Sequence, residues 1–199
     1  ILLATNLVET PKGLEPTFRD VLFQVVSLIT TTGYVSADYT AWSPGITLIC
    51  FVLLFSGACA GSTSGGIKLI RHLVFFKNSI LEFKRLLHPQ AILPLKLNKQ
   101  VVPGKIMTHI IIFLLIYLFW FVTGSIILSM GGYDLPTSIG AVATSLGNVG
   151  PGIGDVGPTD NFAGMEKWTK WFLCFLMLLG RLELFTILVV MTPYFWKTN

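Results

Sequence analysis

Charge is what this sequence has least of. Charged residues make up 12% of its 199 positions, against roughly 25% in a soluble domain. Hydrophobic residues reach 53%, and the mean hydropathy is +0.72. The shortage argues against a soluble globule. The hydrophobicity argues against disorder, which needs the opposite composition. Cysteine is scarce too. Cys50, Cys59 and Cys174 are odd in number, form no C-x-x-C pair and sit in apolar stretches. That disfavours a disulfide framework and a zinc site, and the three read as core fillers. No basic flank accompanies the apolar Ile1–Asn6, so no signal peptide is read there. Those residues look like the tail of a preceding helix, and the sequence is expected to be the C-terminal part of a longer protein.

What is present is long runs without charge. Between Asp38 and Lys68 lie 29 residues with none, and between Lys105 and Asp134 lie 28. A membrane span needs about 20 apolar residues. A third apolar stretch runs from Trp168 to Trp196, interrupted by Arg181 and Glu183. The reading is an all-α polytopic membrane protein with spans at 43–71, 106–130 and 168–195. Two shorter charge-free stretches, 21–37 and 135–154, each open with a helix-like run (Phe18–Thr30 and Leu135–Leu146) and end in a Gly-containing segment. Such a run covers only about 18–20 Å, short of the bilayer core. Its length fits a re-entrant helix or an extracellular amphipathic one.

The charges that do occur are sorted by sign. Residues 68–105 hold Lys68, Arg71, Lys77, Lys84, Arg85, Lys96, Lys99 and Lys105 against one acid, Glu82. Segments 9–38 and 134–166 together hold Glu9, Glu15, Asp20, Asp38, Asp134, Asp155, Asp160 and Glu166 against Lys12 and Arg19. The positive-inside rule puts 68–105 in the cytoplasm and the acidic segments outside. A basic patch beside two spans is therefore an orientation signal, and nucleic acid is not an expected partner. Within it, 78–87 is expected to form a short amphipathic helix ending before His88-Pro89. His72 and His109 fall near the cytoplasmic helix ends and His88 lies in the basic segment. No intramembrane Ser/His/Asp, Cys/His or paired-carboxylate set is present, so no enzyme is expected.

The order of parts repeats. A short helix, a Gly-containing turn and a long span occupy 18–71. A long span, a short helix, a Gly-containing turn and another span occupy 106–196. The unit is outer helix, pore helix, loop, inner helix, and the first copy lacks its outer helix. With Gly33 set opposite Gly150, an offset of 117, Phe18 meets Leu135, Val25 meets Val142, Ser27 meets Thr144 and Asp38 meets Asp155. Repeats in membrane proteins often enclose a pathway at their interface. The expected parts are pore helix 18–30, loop 31–34 and a broken inner helix 43–71; a cytoplasmic connector 72–105; then outer helix 106–130, pore helix 135–146, loop 148–151 and inner helix 168–195.

The two loops suit an ion. Thr31-Thr32-Gly33-Tyr34 and Asn148-Val149-Gly150-Pro151 are short, polar and Gly-containing. A cation crossing the membrane must exchange its water shell for other oxygens, and carbonyls of irregular backbone provide them without fixed charge. Thr-Thr-Gly-Tyr is one residue type away from the Thr-Val-Gly-Tyr of potassium-channel filters. Residues 152–157 match G-x-G-x-x-G, but no strand or βαβ unit surrounds them, so the dinucleotide reading fails its context. Gly61–Gly66 followed by Ile67-Lys68 nearly matches a phosphate loop. Its Lys is displaced and no Ser or Thr follows.

The middle of the first span is a run of small residues: Gly57, Ala58, Cys59, Ala60, Gly61, Ser62, Thr63, Ser64, Gly65 and Gly66. Gly57, Gly61 and Gly65, spaced by four, would suit a helix-packing face. Four glycines, each costing about 1 kcal/mol against alanine in a helix, together with three consecutive hydroxyl residues favour a break instead. A break just inside a filter would obstruct a pore and could gate it. Arg181 lies 11 residues into the last apolar stretch counted from Lys170. A charge at mid-membrane is a functional-site hypothesis by default. Its neighbour Glu183 points to a different helix face, and the offset of 117 sets Arg181 opposite Ser64. Arg181 is therefore expected to take carbonyls freed by the break, restraining the loop and adding a positive barrier.

Several of these segments together resemble one family. Thr-Thr-Thr-Gly-Tyr, Gly-Ala-Cys-Ala-Gly-Ser-Thr-Ser-Gly-Gly-Ile-Lys, His-Pro-Gln-Ala, Gly-Asn-Val-Gly-Pro-Gly and Gly-Arg-Leu-Glu, spread over 30–184, look like signatures of the membrane subunit of bacterial Trk-type potassium uptake systems, in the Trk/Ktr/HKT superfamily. The resemblance implies four pore repeats around one pathway, of which this sequence carries the third without its outer helix and the complete fourth. It implies that Thr31, Thr32, Gly33, Tyr34, Asn148, Val149, Gly150 and Pro151 form two of four filter strands. Potassium would be held by the carbonyls of Thr31, Thr32, Gly33, Asn148, Val149 and Gly150. It implies that 57–66 is an intramembrane gate and Arg181 a pore arginine. Implied partners are the bilayer, the two missing repeats, a cytosolic nucleotide-binding gating ring docking on 68–105 or near Lys197, and a second copy. Implied location is the bacterial inner membrane, and no cofactor beyond the transported potassium is implied. The second filter strand lacks a Thr-Gly pair, so selectivity would be less strict than in a symmetric channel. Two rival readings remain: a coupled secondary transporter using Gly57–Gly66 as its site, with Glu183 as the available intramembrane acid, and an assembly subunit whose glycines only pack helices.

Overall fold

A computed structural model describes residues 13–59, 61–88, 90, 93–97, 100–181 and 196. Expectations that fall on Ile1–Asn6, Ala60, Glu183, the inner helix beyond Arg181 and the Lys197 end lie outside the described residues.

The first helix, α1 (Leu14–Ile29), buries a stripe that is half polar. Thr17, Val21, Gln24 and Leu28 follow the helical spacing of four and three. Phe18, Leu22, Phe23 and Val26 on the other side are exposed in this chain. α2 (Pro44–Leu53) starts on a proline, whose fixed φ suits a first turn. Its inward stripe is Ile46, Cys50 and then Leu54. It ends after 10 residues, and the backbone extends into β1 (Ser56–Gly57), which pairs in parallel with β2 (Ile67–Lys68). The chain then enters α3 (Leu69–Leu87).

That entry corrects one expected helix boundary. The charge pattern ends the span at 71 and begins a separate short helix at 78. In the structure one helix covers Leu69–Leu87. Lys, Arg and Leu are all good helix formers, so basic residues that end an apolar run do not end a helix. It does stop at His88, ahead of Pro89, as the proline requires. The structure also adds strand pairing that the helical pattern did not anticipate: the parallel ladder above and an antiparallel one between β3 (Lys96–Leu97) and β4 (Gln100–Val101). Each strand is two residues long, and the fold remains mainly helical.

α4 (Gly104–Met130) has 27 residues, about 40 Å at the helical rise and more than the hydrocarbon core. Among the described residues it is the one helix long and apolar enough to cross a membrane. α5 (Leu135–Gly147) follows after Asp134 and is buried almost throughout from Thr137 onward. After two short 3-10 turns at Gly154–Val156 and Phe162–Gly164 comes α6 (Lys167–Arg181), the described part of the third apolar stretch.

α5 is buried between α4 and α6. Phe113, Tyr117 and Leu128 of α4, Ala141, Val142 and Leu146 of α5, and Leu173, Leu176 and Leu179 of α6 form one apolar core. Gly124 lets α4 approach: a Cβ there would lie 3.1 Å from Val142 and 3.3 Å from Leu176. A second core joins the two halves of the chain, with Leu28, Tyr39, Ile46, Cys50 and Leu54 meeting Ala143 and Val149. Phe55 packs edge-on against Phe51 and Phe121 beside it. This seam sets the loops after α1 and α5 side by side.

Candidate functional site

Both loops leave their helices in the same way. Thr31 ends α1 in the left-handed region at φ 54°, and Asn148 ends α5 at φ 53°. The Thr31 amide donates to Leu28 O at 3.1 Å, and the Asn148 amide to Ser145 O at 3.1 Å. The Thr32 amide donates to Ser27 O at 3.0 Å, and the Val149 amide to Thr144 O at 3.0 Å. Every one of these pairs is separated by the offset of 117 that the sequence alignment used. Two residues further on, Gly33 and Gly150 take φ 78° and φ 121°, values open to glycine at little cost.

Polar residues on the buried faces then hold each loop. Gln24 Nε2 donates to Ala37 O at 2.6 Å, and Ser27 Oγ donates to Tyr34 O at 2.7 Å. On the other side, the Gly150 amide donates to Thr144 Oγ1 at 2.8 Å, and Asn148 Nδ2 donates to Met177 O at 2.9 Å. These bonds explain why α1 and α5 bury Gln24, Ser27 and Thr144, since buried polar groups are costly without partners. Tyr39 crosses between the loops: its buried hydroxyl donates to Gly152 O at 2.6 Å.

The structure brings the eight loop residues of the two segments together. A Cβ added at Gly33 would land on the Val149 carbonyl oxygen and come within 3.4 Å of the Pro151 ring. The nearest atom to such a Cβ at Gly150 is the Gly33 Cα, at 3.9 Å. Tyr34, Thr32 and Gly150 are exposed in this chain, Thr31, Gly33, Asn148 and Pro151 half-buried, and Val149 buried. Two irregular, carbonyl-bearing segments therefore lie next to each other at the C-terminal ends of α1 and α5.

Residues 57–66 lie against this pair. The ladder Ser56–Ile67 and Gly57–Lys68 closes the base of the loop. The Ile67 amide donates to Phe55 O at 3.0 Å. Within the loop, the Ala58 amide donates to Ser64 Oγ at 3.1 Å and Ser62 Oγ to Cys59 O at 2.8 Å. Gly57, Gly65 and Gly66 are buried, while Cys59, Gly61 and Thr63 are exposed. Gly65 touches both loops. Its amide donates to Thr31 Oγ1 at 3.3 Å, and a Cβ there would come within 2.7 Å of Asn148 Cβ. The small side chains serve this close approach rather than the packing face of a continuous helix.

Arg181 and residues 62–64 share one polar cavity of about 150 Å³ with Lys68. The restraint expected of Arg181 is made by Lys68 instead. Among the described residues Arg181 makes no hydrogen bond to the loop, whereas Lys68 Nζ donates to Ser62 O at 2.7 Å and to Ser64 O at 2.5 Å. Lys68 sits just past the loop, on β2. Sequence reasoning also passed over Gln24 and Tyr39, and named Ser27 and Thr144 only as an aligned pair. Gln24 and Ser27 are polar positions in an otherwise apolar run, and Lys68 is the first charge after 29 uncharged residues. Those were the available signals.

Known proteins match most of this chain in sequence and fold. The family model described as "Cation transport protein" (TrkH) matches residues 10–197. The Trk system potassium uptake protein TrkH of Salmonella typhimurium is 39% identical over 181 residues, covering 91% of this chain and 37% of that protein. TrkH of Halomonas elongata is 36% identical over 196 residues, covering 98% and 39%. In TrkG of Escherichia coli the figures are 31% over 185 residues, covering 93% and 38%. The crystal structure of the potassium transporter TrkH from Vibrio parahaemolyticus superposes with a TM-score of 0.85 at 35% identity, over 94% of this chain and 39% of that one. The chain thus spans less than two fifths of the length of these relatives. Matched over nearly its whole length, it belongs to the TrkH family of cation transport proteins.

Proposed function

We propose that this chain supplies two of four pore repeats of a potassium-uptake protein in the bacterial inner membrane. Thr31, Thr32, Gly33 and Tyr34 form one filter strand, and Asn148, Val149, Gly150 and Pro151 the other. Carbonyls of Thr31, Thr32, Gly33, Asn148, Val149 and Gly150 replace the water of a passing potassium ion. One observation carries this reading: the same left-handed exit, the same pair of backbone bonds and the same positive-φ glycine recur at offset 117, and the two loops lie against each other. A helix-packing subunit has no need of a matched pair of irregular segments. The loop 57–66 stands beneath the filter as a gate, with Arg181 beside it as a positive barrier. The basic connector faces the cytoplasm and offers Lys77, Lys84 and the neighbouring α3 surface to a gating-ring partner. The remaining repeats and a second copy complete the assembly.

The test is potassium and sodium flux into liposomes holding the full-length protein that carries this sequence, compared with Gly33→Ser. A Cβ at Gly33 meets the Val149 carbonyl and needs a left-handed backbone. The expected result is potassium-favouring flux in the wild type and a changed potassium-to-sodium ratio in the variant. Lower stability with an unchanged ratio would favour the assembly reading, and flux that needs a second ion would favour coupled transport.

A further inference from the structure

Lys68 is held in a cage of loop oxygens. Besides the two carbonyls, its Nζ lies 3.4 Å from Ser62 Oγ and 3.2 Å from Ser64 Oγ. The two hydroxyls bond each other at 2.7 Å. The backbone of Lys68 is fixed separately, by its pairing with Gly57 in the ladder at the loop's base. One end of the residue is thus anchored where the loop begins and closes, and the other grips its middle.

The chemistry of this cage is specific. An ammonium has three donors and no acceptor. The oxygens around it are neutral, so its charge is solvated by dipoles, as a dehydrated potassium ion would be. Hydrogen bonds to an ionised donor are roughly twice as strong as neutral ones. They strengthen further where water is excluded. The bonds of Gly65 at Thr31 and its close fit at Asn148 locate the end of the loop, but nothing in them holds Ser62 and Ser64.

We propose that Lys68 is the resident cation of the gate. Its ammonium fills the Ser62 and Ser64 oxygens and latches the loop shut, and a cation passing the filter competes with it for them. The inference rests on reading 57–66 as a gate. Lys68 acts through the loop, as a positioning residue, and leaves ion selection to the filter.

The test is potassium flux into liposomes holding the full-length protein without its cytosolic partner. The variants are Lys68→Met, Lys68→Arg and a shortened loop lacking 60–63. Lys68→Met keeps the stem and removes the charge, and it should raise flux by about tenfold, the scale of a charged hydrogen bond. The potassium-to-sodium ratio should hold within about twofold, because no filter carbonyl is altered. Lys68→Arg should stay near wild type. If Lys68→Met left flux unchanged while the shortened loop raised it, the latch would be wrong and the gate would stand. If the shortened loop changed nothing either, both would fall. A fall in flux and melting temperature together in Lys68→Met would reduce the residue to a structural one and overturn the proposal. Lys68→Gln, which keeps a donor without the charge, gives an independent reading should the methionine variant not fold.

Discussion

The amide of Gly65 donates to the hydroxyl of Thr31 across 3.3 Å. One residue belongs to the loop that separates α2 from α3. The other is the left-handed residue that ends α1. Any displacement of the loop that moves Gly65 therefore breaks a bond at the start of the irregular segment that follows α1.

Thr31→Ala removes that acceptor and leaves the Gly65 amide unpaired in a buried position. It should cost about 1 kcal/mol. Thr31→Ser keeps the oxygen and changes the β-branch equally, so it should recover most of the loss. Thermal unfolding in detergent separates the two. Equal melting temperatures would remove this bond from the account of how the two loops are joined.

Tyr39 ties the segment after the first loop to the segment after the second through Gly152 O. Tyr39→Phe keeps the ring in its core and loses the donor, for about 1 kcal/mol of stability. Burial raises the Tyr39 hydroxyl's pKa well above the ordinary tyrosine value, so the folded state holds the neutral form. The stability gained this way is complete below the unfolded value of about 10 and is lost as pH rises through the folded one. Melting temperatures of wild type and Tyr39→Phe should therefore differ by a constant amount near neutral pH, and the difference should shrink at strongly alkaline pH. A gap that widened with pH would contradict the assignment.

Arg181 faces the cavity shared with Ser62, Thr63 and Ser64, with Lys68 making the bonds to that loop. On the proposed reading, Arg181 contributes positive potential. A unit charge near a passing cation costs about 1 kcal/mol even in water and more away from it. Arg181→Ala should raise potassium flux by about tenfold or less, and Arg181→Lys should hold it low. The flux assay above reads both. Unchanged flux and unchanged regulation in Arg181→Ala would take the residue out of the permeation pathway.

Much of this site was legible before any coordinates. The offset of 117 set Thr31 against Asn148 and Gly33 against Gly150, and each pair shares the sign of φ. Backbone conformation is local, so similar residues at equal positions after similar helices turn alike. The run of glycines and hydroxyls at 57–66 likewise marked where α2 could not continue. The separate helix expected from 78 did not appear, because helix formation follows backbone propensity and Lys and Arg extend a helix readily. The hydrogen bonds to the loop expected of Arg181 come from Lys68, for another reason. Equal depth in two repeats says nothing about which side chain reaches.

By itself the sequence marked the long charge-free runs, the sorting of charge by sign along the chain and the places where the backbone must be irregular. Composition, charge order and glycine placement act residue by residue and need no partner. Tertiary structure decided who holds whom: Lys68 rather than Arg181 on the Ser62 and Ser64 carbonyls, Tyr39 on Gly152, Gly65 on Thr31. A hydrogen bond demands a donor and acceptor within about 3 Å. Over 34 residues from Thr31 to Gly65, or 113 from Tyr39 to Gly152, that distance exists only once the helices have packed.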